Sequence, residues 1–212
     1  MSRLLTLLLL LVAVQATAQR RLELWNKNQL NVGLSSRLTL KVSEKIHYIP
    51  ENGKLEVLFG EVFINDRPLE WMEYGVGFRV TKLQPITDTW TTENRLMLFA
   101  DFSKTIEAFK LTFGNRFEYR NFSDLPDHFR YKQTFTFQFP ALTKWGMRFY
   151  VSEESFMRLD TGNMHLARFF GGLHLYKREH FQLSLYYALQ KAKLRNDWYS
   201  SDIAGLNLQL AI

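Results

Sequence analysis

The sequence predicts an all-β chain, folded as a closed, antiparallel, up-and-down β-barrel that crosses a bacterial outer membrane. Three observations carry that expectation. The N-terminus has the layout of an export leader, the rest of the chain alternates apolar and polar residues with period two, and 15% of residues are aromatic. That aromatic share suits strands and membrane-interface girdles better than a helical core.

The leader comes first. Arg3 precedes an unbroken apolar stretch from Leu4 to Val14, and Ala16-Thr17-Ala18 stand before Gln19. Charge, a short apolar run and small residues at the cut are what signal peptidase reads. The run is too short to cross a bilayer, which needs about 20 apolar residues. Residues 1–18 are therefore expected to be cleaved, leaving one barrel domain over 19–212 and a destination in the Gram-negative outer membrane. At 212 residues, 46% of them hydrophobic, with 5 Pro and 11 Gly, the chain is composed as a single sizeable domain and not as a disordered one. Cleavage removes one cation and no acid, lowering the formal charge of +6 by one. The remaining Lys and Arg are interspersed with acids and not clustered, so nucleic acid is not an expected partner. There is no Cys, hence no disulfide framework, and strand pairing with burial must hold the fold.

Strands are legible from their alternation. Phe109, Leu111, Phe113, Phe117 and Tyr119 share one face, with Lys110, Thr112, Gly114, Arg116 and Glu118 on the other. The next segment opposes Phe129, Tyr131, Phe135, Phe137 and Phe139 to Arg130, Lys132, Thr134, Thr136 and Gln138. Phe181, Leu183, Leu185, Tyr187 and Leu189 repeat the pattern, and Met72, Tyr74, Val76, Phe78 and Val80 oppose Glu73, Gly75, Gly77, Arg79 and Thr81. In a soluble sandwich the apolar faces would meet in a core. Segments of about 10 residues or more with aromatic-rich faces match a tilted transmembrane strand instead.

The connections suggest two unlike rims. Ser35-Ser36, Asn65-Asp66-Arg67-Pro68, Ser103-Lys104 and Arg178-Glu179 read as short turns, while Gln84–Thr89, Asn121–Asp127 and Arg195–Ser200 read as longer loops. Segments counted from Leu22 number about eleven, whereas single-chain bacterial barrels have even strand numbers. Ten or twelve strands are therefore expected. Either Leu22–Leu34 does not span or Lys144–Asp160 hides a turn. Register is least certain over Leu55–Ile64, where Glu56 and Glu61 fall on opposite faces. The closing strand alternates Leu206, Leu208, Leu210 and Ile212 to the last residue, though it ends on Ile where many barrels end on an aromatic residue.

The polar face is the candidate site: a lumen network of Glu73, Arg79, Glu93, Arg95, Arg116, Glu118, Arg130, Lys132, Arg148, Arg168 and His174. Mixed charges inside a barrel of about 8 to 12 strands favour a salt-bridged filling over an open conduit or ligand pocket. Arg116, Glu118 and Arg120 step along one face, as do Glu93 and Arg95 on the preceding strand, so cross-strand ion pairs are expected.

These segments also resemble a known family, the uncharacterised barrels grouped as domain of unknown function 2490. The resemblance rests on Trp25, Glu93-Asn94-Arg95, Arg116 to Arg120 followed by Phe129-Arg130-Tyr131, and Arg168 to Tyr176 followed by Tyr186-Tyr187, covering most of the mature chain. It implies an outer-membrane or periplasm-associated barrel with no assigned activity and no known catalytic set.

No catalytic set is expected from the residues either. Of His47, His128, His165, His174 and His180, only His174 has a candidate partner, Ser184 on the next strand, and a nucleophile–base pair needs a third group to orient the histidine. No two histidines stand at ligand spacing and Cys is absent, so no metal is expected. Gly75-Val76-Gly77 and Gly171-Gly172 lie within strand patterns, where glycine marks bends or close backbone approach and not a phosphate cradle; no cofactor is expected. The leading reading is a non-catalytic barrel: structural element, narrow channel or docking partner, surrounded by outer-membrane lipid, with a small solute or protein partner of unknown kind. The rivals are a lipid-modifying enzyme of the outer leaflet and a periplasmic barrel whose aromatic faces turn inward around an apolar ligand.

Overall fold

A computed structural model describes residues 20–84, 89–194 and 197–212. The expected leader, residues 1–18, lies outside the described residues, as does part of each loop expected at 84–89 and 195–200.

The described residues form eleven strands, β1 (Arg21–Gly33), β2 (Leu38–Ile49), β3 (Lys54–Leu69), β4 (Met72–Leu83), β5 (Thr91–Ile106), β6 (Phe109–Phe122), β7 (His128–Gln138), β8 (Arg148–Arg158), β9 (Asn163–Lys177), β10 (Phe181–Leu194) and β11 (Asp197–Ala211). A single 3₁₀ turn, Pro50–Asn52, links β2 and β3. Each strand pairs antiparallel with its sequence neighbours, and the sheet closes through β1 and β11. That closure is parallel, from Arg21 opposite Ser201 to Asn31 opposite Ala211.

The expectation of ten or twelve strands is thereby corrected. In an up-and-down chain an odd strand count makes the first and last strands run the same way, so a parallel seam is the geometric consequence of eleven. Neither repair of the count applies. β1 is paired along its length on both sides, and the Lys144–Asp160 segment contains one strand, its first residues belonging to the preceding connection. The turns are also corrected in part: Asn65–Pro68 and Ser103–Lys104 lie within β3 and β5, and the chain reverses at 70–71 and 107–108 instead. One rim carries connections 34–37, 70–71, 107–108, 139–147 and 178–180. The longest connection thus stands on the rim expected to be uniformly short.

The faces sort as the alternation requires. Val76, Phe78, Leu96, Leu98, Phe117 and Phe129 are exposed on the outer wall, and Phe113 and Phe135 are 37% and 47% exposed. Phe137 is half-buried on that wall beside Phe109 and Phe139. Glu61, Glu93, Arg95, Glu118 and Arg130 are buried inside. Polar pairs interrupt the apolar exterior, Tyr131 with Asn115 and Tyr187 with Asp202 among them. Asn28 donates to Asn26 and Glu44 across β1 and β2, and Ser155 donates to Glu153 on β8.

Glycine shapes the inner wall. Phe63 lies directly across from Gly77, Tyr150 from Gly172 and Tyr186 from Gly205. A Cβ on any of these glycines would fall within 2.2 Å of the facing ring. The rings lie flat over the bare backbone, an arrangement that lets bulky aromatics fit inside a curved sheet.

Candidate functional site: the charged lumen

Inward-facing positions of β5, β6 and β7 build a knot of charge. Glu93 accepts from Arg95 Nε at 2.7 Å and from Arg120 through Nε at 2.7 Å and Nη2 at 2.9 Å. Glu118 accepts from Arg130 Nε at 2.7 Å and Nη2 at 2.5 Å, while Arg95 Nη1 lies 3.4 Å away. Arg116 Nε stands 2.8 Å from Glu118 Oε1, yet neither atom has a hydrogen-bond partner of proper direction, so that contact is coulombic. Both glutamates are fully enclosed. The row exists because Arg95 faces Arg120 and Glu118 faces Arg130 across paired strands, with Glu93 and Glu118 placed where each reaches neighbouring cations.

Three further carboxylates repeat the motif around the wall. Glu61 accepts from Arg79 Nε at 2.9 Å, Lys27 Nζ at 3.1 Å and Ser43 Oγ at 2.7 Å. Glu154 pairs with Lys132 and, at 3.4 Å, with Arg168. Glu73, near the 70–71 turn, pairs with Lys41 and Arg67 at 2.5 Å each. Among the described residues, these five glutamates share ten cations. Positive charge is in surplus inside the barrel.

The wall is not filled. A cavity of about 730 Å³ is bordered by Trp25, Lys45, His47, Arg79, Arg116 and Arg168 among others. A second, of about 350 Å³, shares Lys27, Glu61, Arg116 and Lys132 with it. The two adjoin along the barrel interior.

The residues expected to form one network are distributed among several. Glu93, Arg95, Arg116, Glu118 and Arg130 meet in one knot, Arg79 joins Glu61, and Lys132 and Arg168 join Glu154. Glu73 sits apart at its turn. Arg148 faces His174 across the β8–β9 pair, with its Nε buried and without a hydrogen-bond partner. His174 belongs to a separate polar group, its Nδ1 lying 2.8 Å from Ser184 Oγ and 3.3 Å from Gln182 Nε2, with Tyr150 stacked on the ring at 4.7 Å. A nucleophile–base pair needs its orienting group on the other ring nitrogen. His174 Nε2 is buried with no hydrogen-bond partner. No group of His, Cys, Asp or Glu able to hold a metal occurs among the described residues.

Glu61, Glu154 and the ring-lined side of the lumen were not singled out from sequence. Glu61 sits beyond an irregularity where the β2–β3 register slips between His47 and Tyr48, so that Glu56 is passed over in the pairing. From Phe59 onward, Phe59, Glu61, Phe63 and Asn65 do keep period two, and that run was the available signal. Glu154 was hidden because β8 turns Tyr150 and Phe156 inward along with it, which blurs the polar–apolar alternation.

A family model described as protein of unknown function (DUF2490) matches residues 22–201. No curated protein matches the chain. The chain belongs to the DUF2490 family, and the matched span runs from the first strand into the last.

Proposed function

We propose that this DUF2490 barrel is an integral outer-membrane protein without catalytic activity, acting as a narrow conduit that favours anions. The observation that carries the membrane part is the placement of tryptophan. Four of the five Trp are exposed at the ends of the barrel: Trp71 and Trp145 at one rim, Trp90 and Trp198 at the other. Paired aromatic belts bounding an apolar wall are the signature of a barrel seated between two membrane–water interfaces. Strands of 11 to 16 residues are long enough to cross. The export leader read from residues 1–18 and the exposed Val, Leu and Phe of the wall support the same address. The exposed Leu, Val and Phe of the outer wall do not suit a periplasmic carrier, whose outer face meets water.

The conduit part draws on the cation surplus around two adjoining cavities, since a lumen of one sign attracts counter-ions. A lipid-modifying enzyme finds less support, because the His174–Ser184 pair has no orienting partner on Nε2. The test is twofold. The protein should remain with the outer membrane after carbonate washing, and in planar bilayers it should conduct with a reversal potential favouring anions. Arg116 borders both cavities, so Arg116→Gln should shift that potential towards cations. Release by carbonate removes the membrane reading. A bilayer-inserted protein that passes no current removes the conduit reading and leaves a structural or docking role.

A further inference from the structure

Lys45, like Arg148, is a lumen cation that no carboxylate pairs with among the described residues, and it alone of the two lies over a ring. Its Nζ lies 3.6 Å from the centre of the Trp25 ring, and among the described residues no carboxylate stands within ion-pair distance of it. Arg168 approaches the same indole, its Cζ 4.8 Å from the ring centre. The negative charge here comes from Glu154, which already serves Lys132, and from buried Glu23, which accepts from the Trp25 indole N–H at 3.0 Å, so Lys45, Lys132 and Arg168 stand against two carboxylates. Two cations from opposite directions around the wall, one on β2 and one on β9, thus converge on one ring with one negative charge too few.

The same cavity holds polar atoms that nothing satisfies. His47 Nε2 and Thr81 Oγ1 are buried without hydrogen-bond partners, and both residues border the space of about 730 Å³ into which Lys45 and Arg168 project. Buried polar atoms without partners are costly and rare, and their clustering with an unmatched cation marks the position of a missing acceptor. Phe156, Phe170 and Tyr186 add ring surface to the same cavity, alongside the polar Glu23, Glu154 and Gln190. The cavity as a whole is lined mainly by charged and polar groups, so this cluster of rings beside Lys45 and Arg168 gives it one amphipathic corner, with cations on one side and an apolar surface on the other.

We propose that this end of the lumen binds a small organic carboxylate, its anionic head between Lys45 and Arg168 beside Trp25 and its apolar body against Phe156, Phe170 and Tyr186. A single negative charge matches what is unmatched, whereas a phosphate dianion exceeds it. The site deepens the conduit reading by giving the pore a preferred solute, and it rests on that reading's water-accessible lumen.

The experiment is calorimetric titration of the purified full barrel in detergent with benzoate, acetate, benzamide and inorganic phosphate. Benzoate should bind saturably, acetate about tenfold more weakly for want of an apolar body, and neutral benzamide not measurably. Lys45→Met should weaken benzoate at least about tenfold, while Lys45→Arg retains it. Heat-modifiable gel migration shows that each variant is folded. Benzamide binding equal to benzoate, or an unchanged affinity in the folded Lys45→Met protein, overturns the site. Tighter binding of phosphate than benzoate overturns the carboxylate assignment. Conductance without saturable benzoate binding sinks the site alone, and benzoate binding without conductance sinks the conduit alone.

Discussion

Two sides of one lumen use similar residues under opposite electrostatic conditions. On the β5–β7 side, Arg95, Arg116, Arg120 and Arg130 all rest against Glu93 or Glu118. On the side formed by β1, β2 and β8 to β11, cations face rings: Lys45 and Arg168 approach Trp25, and Arg168 also lies 5.1 Å from the centre of Phe156. Here the wall is held by shape. Trp25, Tyr186, Ala188 and Ile203 form a buried cluster with Tyr150 and Phe170 packed on it, and Tyr150 and Tyr186 lie over glycines. A carboxylate shared by several arginines fixes a wall. A cation left over an indole leaves something to be bound.

The largest effect should come from breaking the charged side. Glu118→Gln keeps the shape of the side chain and withdraws the counter-charge of three arginines in a fully enclosed place. Removing one partner from a buried ion pair costs about 3–5 kcal/mol, and urea unfolding of the refolded barrel in detergent should show a loss of that order. A loss below about 1 kcal/mol would mean that water already screens the knot, and the contrast between the two sides would disappear.

The ring-lined side is tested by shape. A Cβ at Gly172 would stand 2.2 Å from Tyr150, so Gly172→Ala must displace the ring, at a cost of about 1–3 kcal/mol. Gly172→Ala combined with Tyr150→Ala should be less destabilised than the two single losses predict, because the clash vanishes with the ring. Strict additivity in the unfolding free energies would show that ring and glycine do not hold each other.

How much of this contrast was legible in the sequence differs by side. The charged side was readable because β5, β6 and β7 alternate cleanly, so Glu93, Arg95, Arg116, Glu118 and Arg130 could be assigned to one face. The ring-lined side was not, since it turns Trp25, Tyr150 and Phe156 inward with its charges, and alternation cannot sort aromatic from polar when both face the lumen. The parallel seam is hidden for another reason: alternation counts eleven segments, but the even strand number usual in single-chain bacterial barrels points to ten or twelve. The glycines were read as sites of close approach, yet their facing rings depend on cross-strand register, which a single strand does not display.

Lys45→Met offers a finer test on the ring-lined side. With no carboxylate to abandon, the substitution forfeits only the contact with Trp25, and the loss in unfolding free energy should stay below about 1 kcal/mol. A loss approaching that of Glu118→Gln would reveal that Lys45 is part of the structural network after all.

The smallest effect should come from Asp127, which is the exposed counterpart of Glu118. It accepts from Asn121 Nδ2 at 2.8 Å, the Phe122 N–H at 3.0 Å and Tyr119 Oη at 2.9 Å, at the connection between β6 and β7. Those hydrogen bonds, from the Asn121 amide first, hold its carboxyl below the ordinary aspartate range. A depressed folded value means that its contribution is present at neutral pH and is lost as pH falls through that value. Being fully solvated, it should anchor the 123–127 segment locally and leave the barrel's unfolding midpoint unmoved. Amide exchange at Phe122 should therefore quicken in Asp127→Asn, and in the parent protein as the pH is lowered below the usual carboxylate range, with protection in β5 and β6 unchanged. If protection in those strands falls together with Phe122, the rim and the charged wall open as one unit, and enclosure is not what makes Glu118 matter.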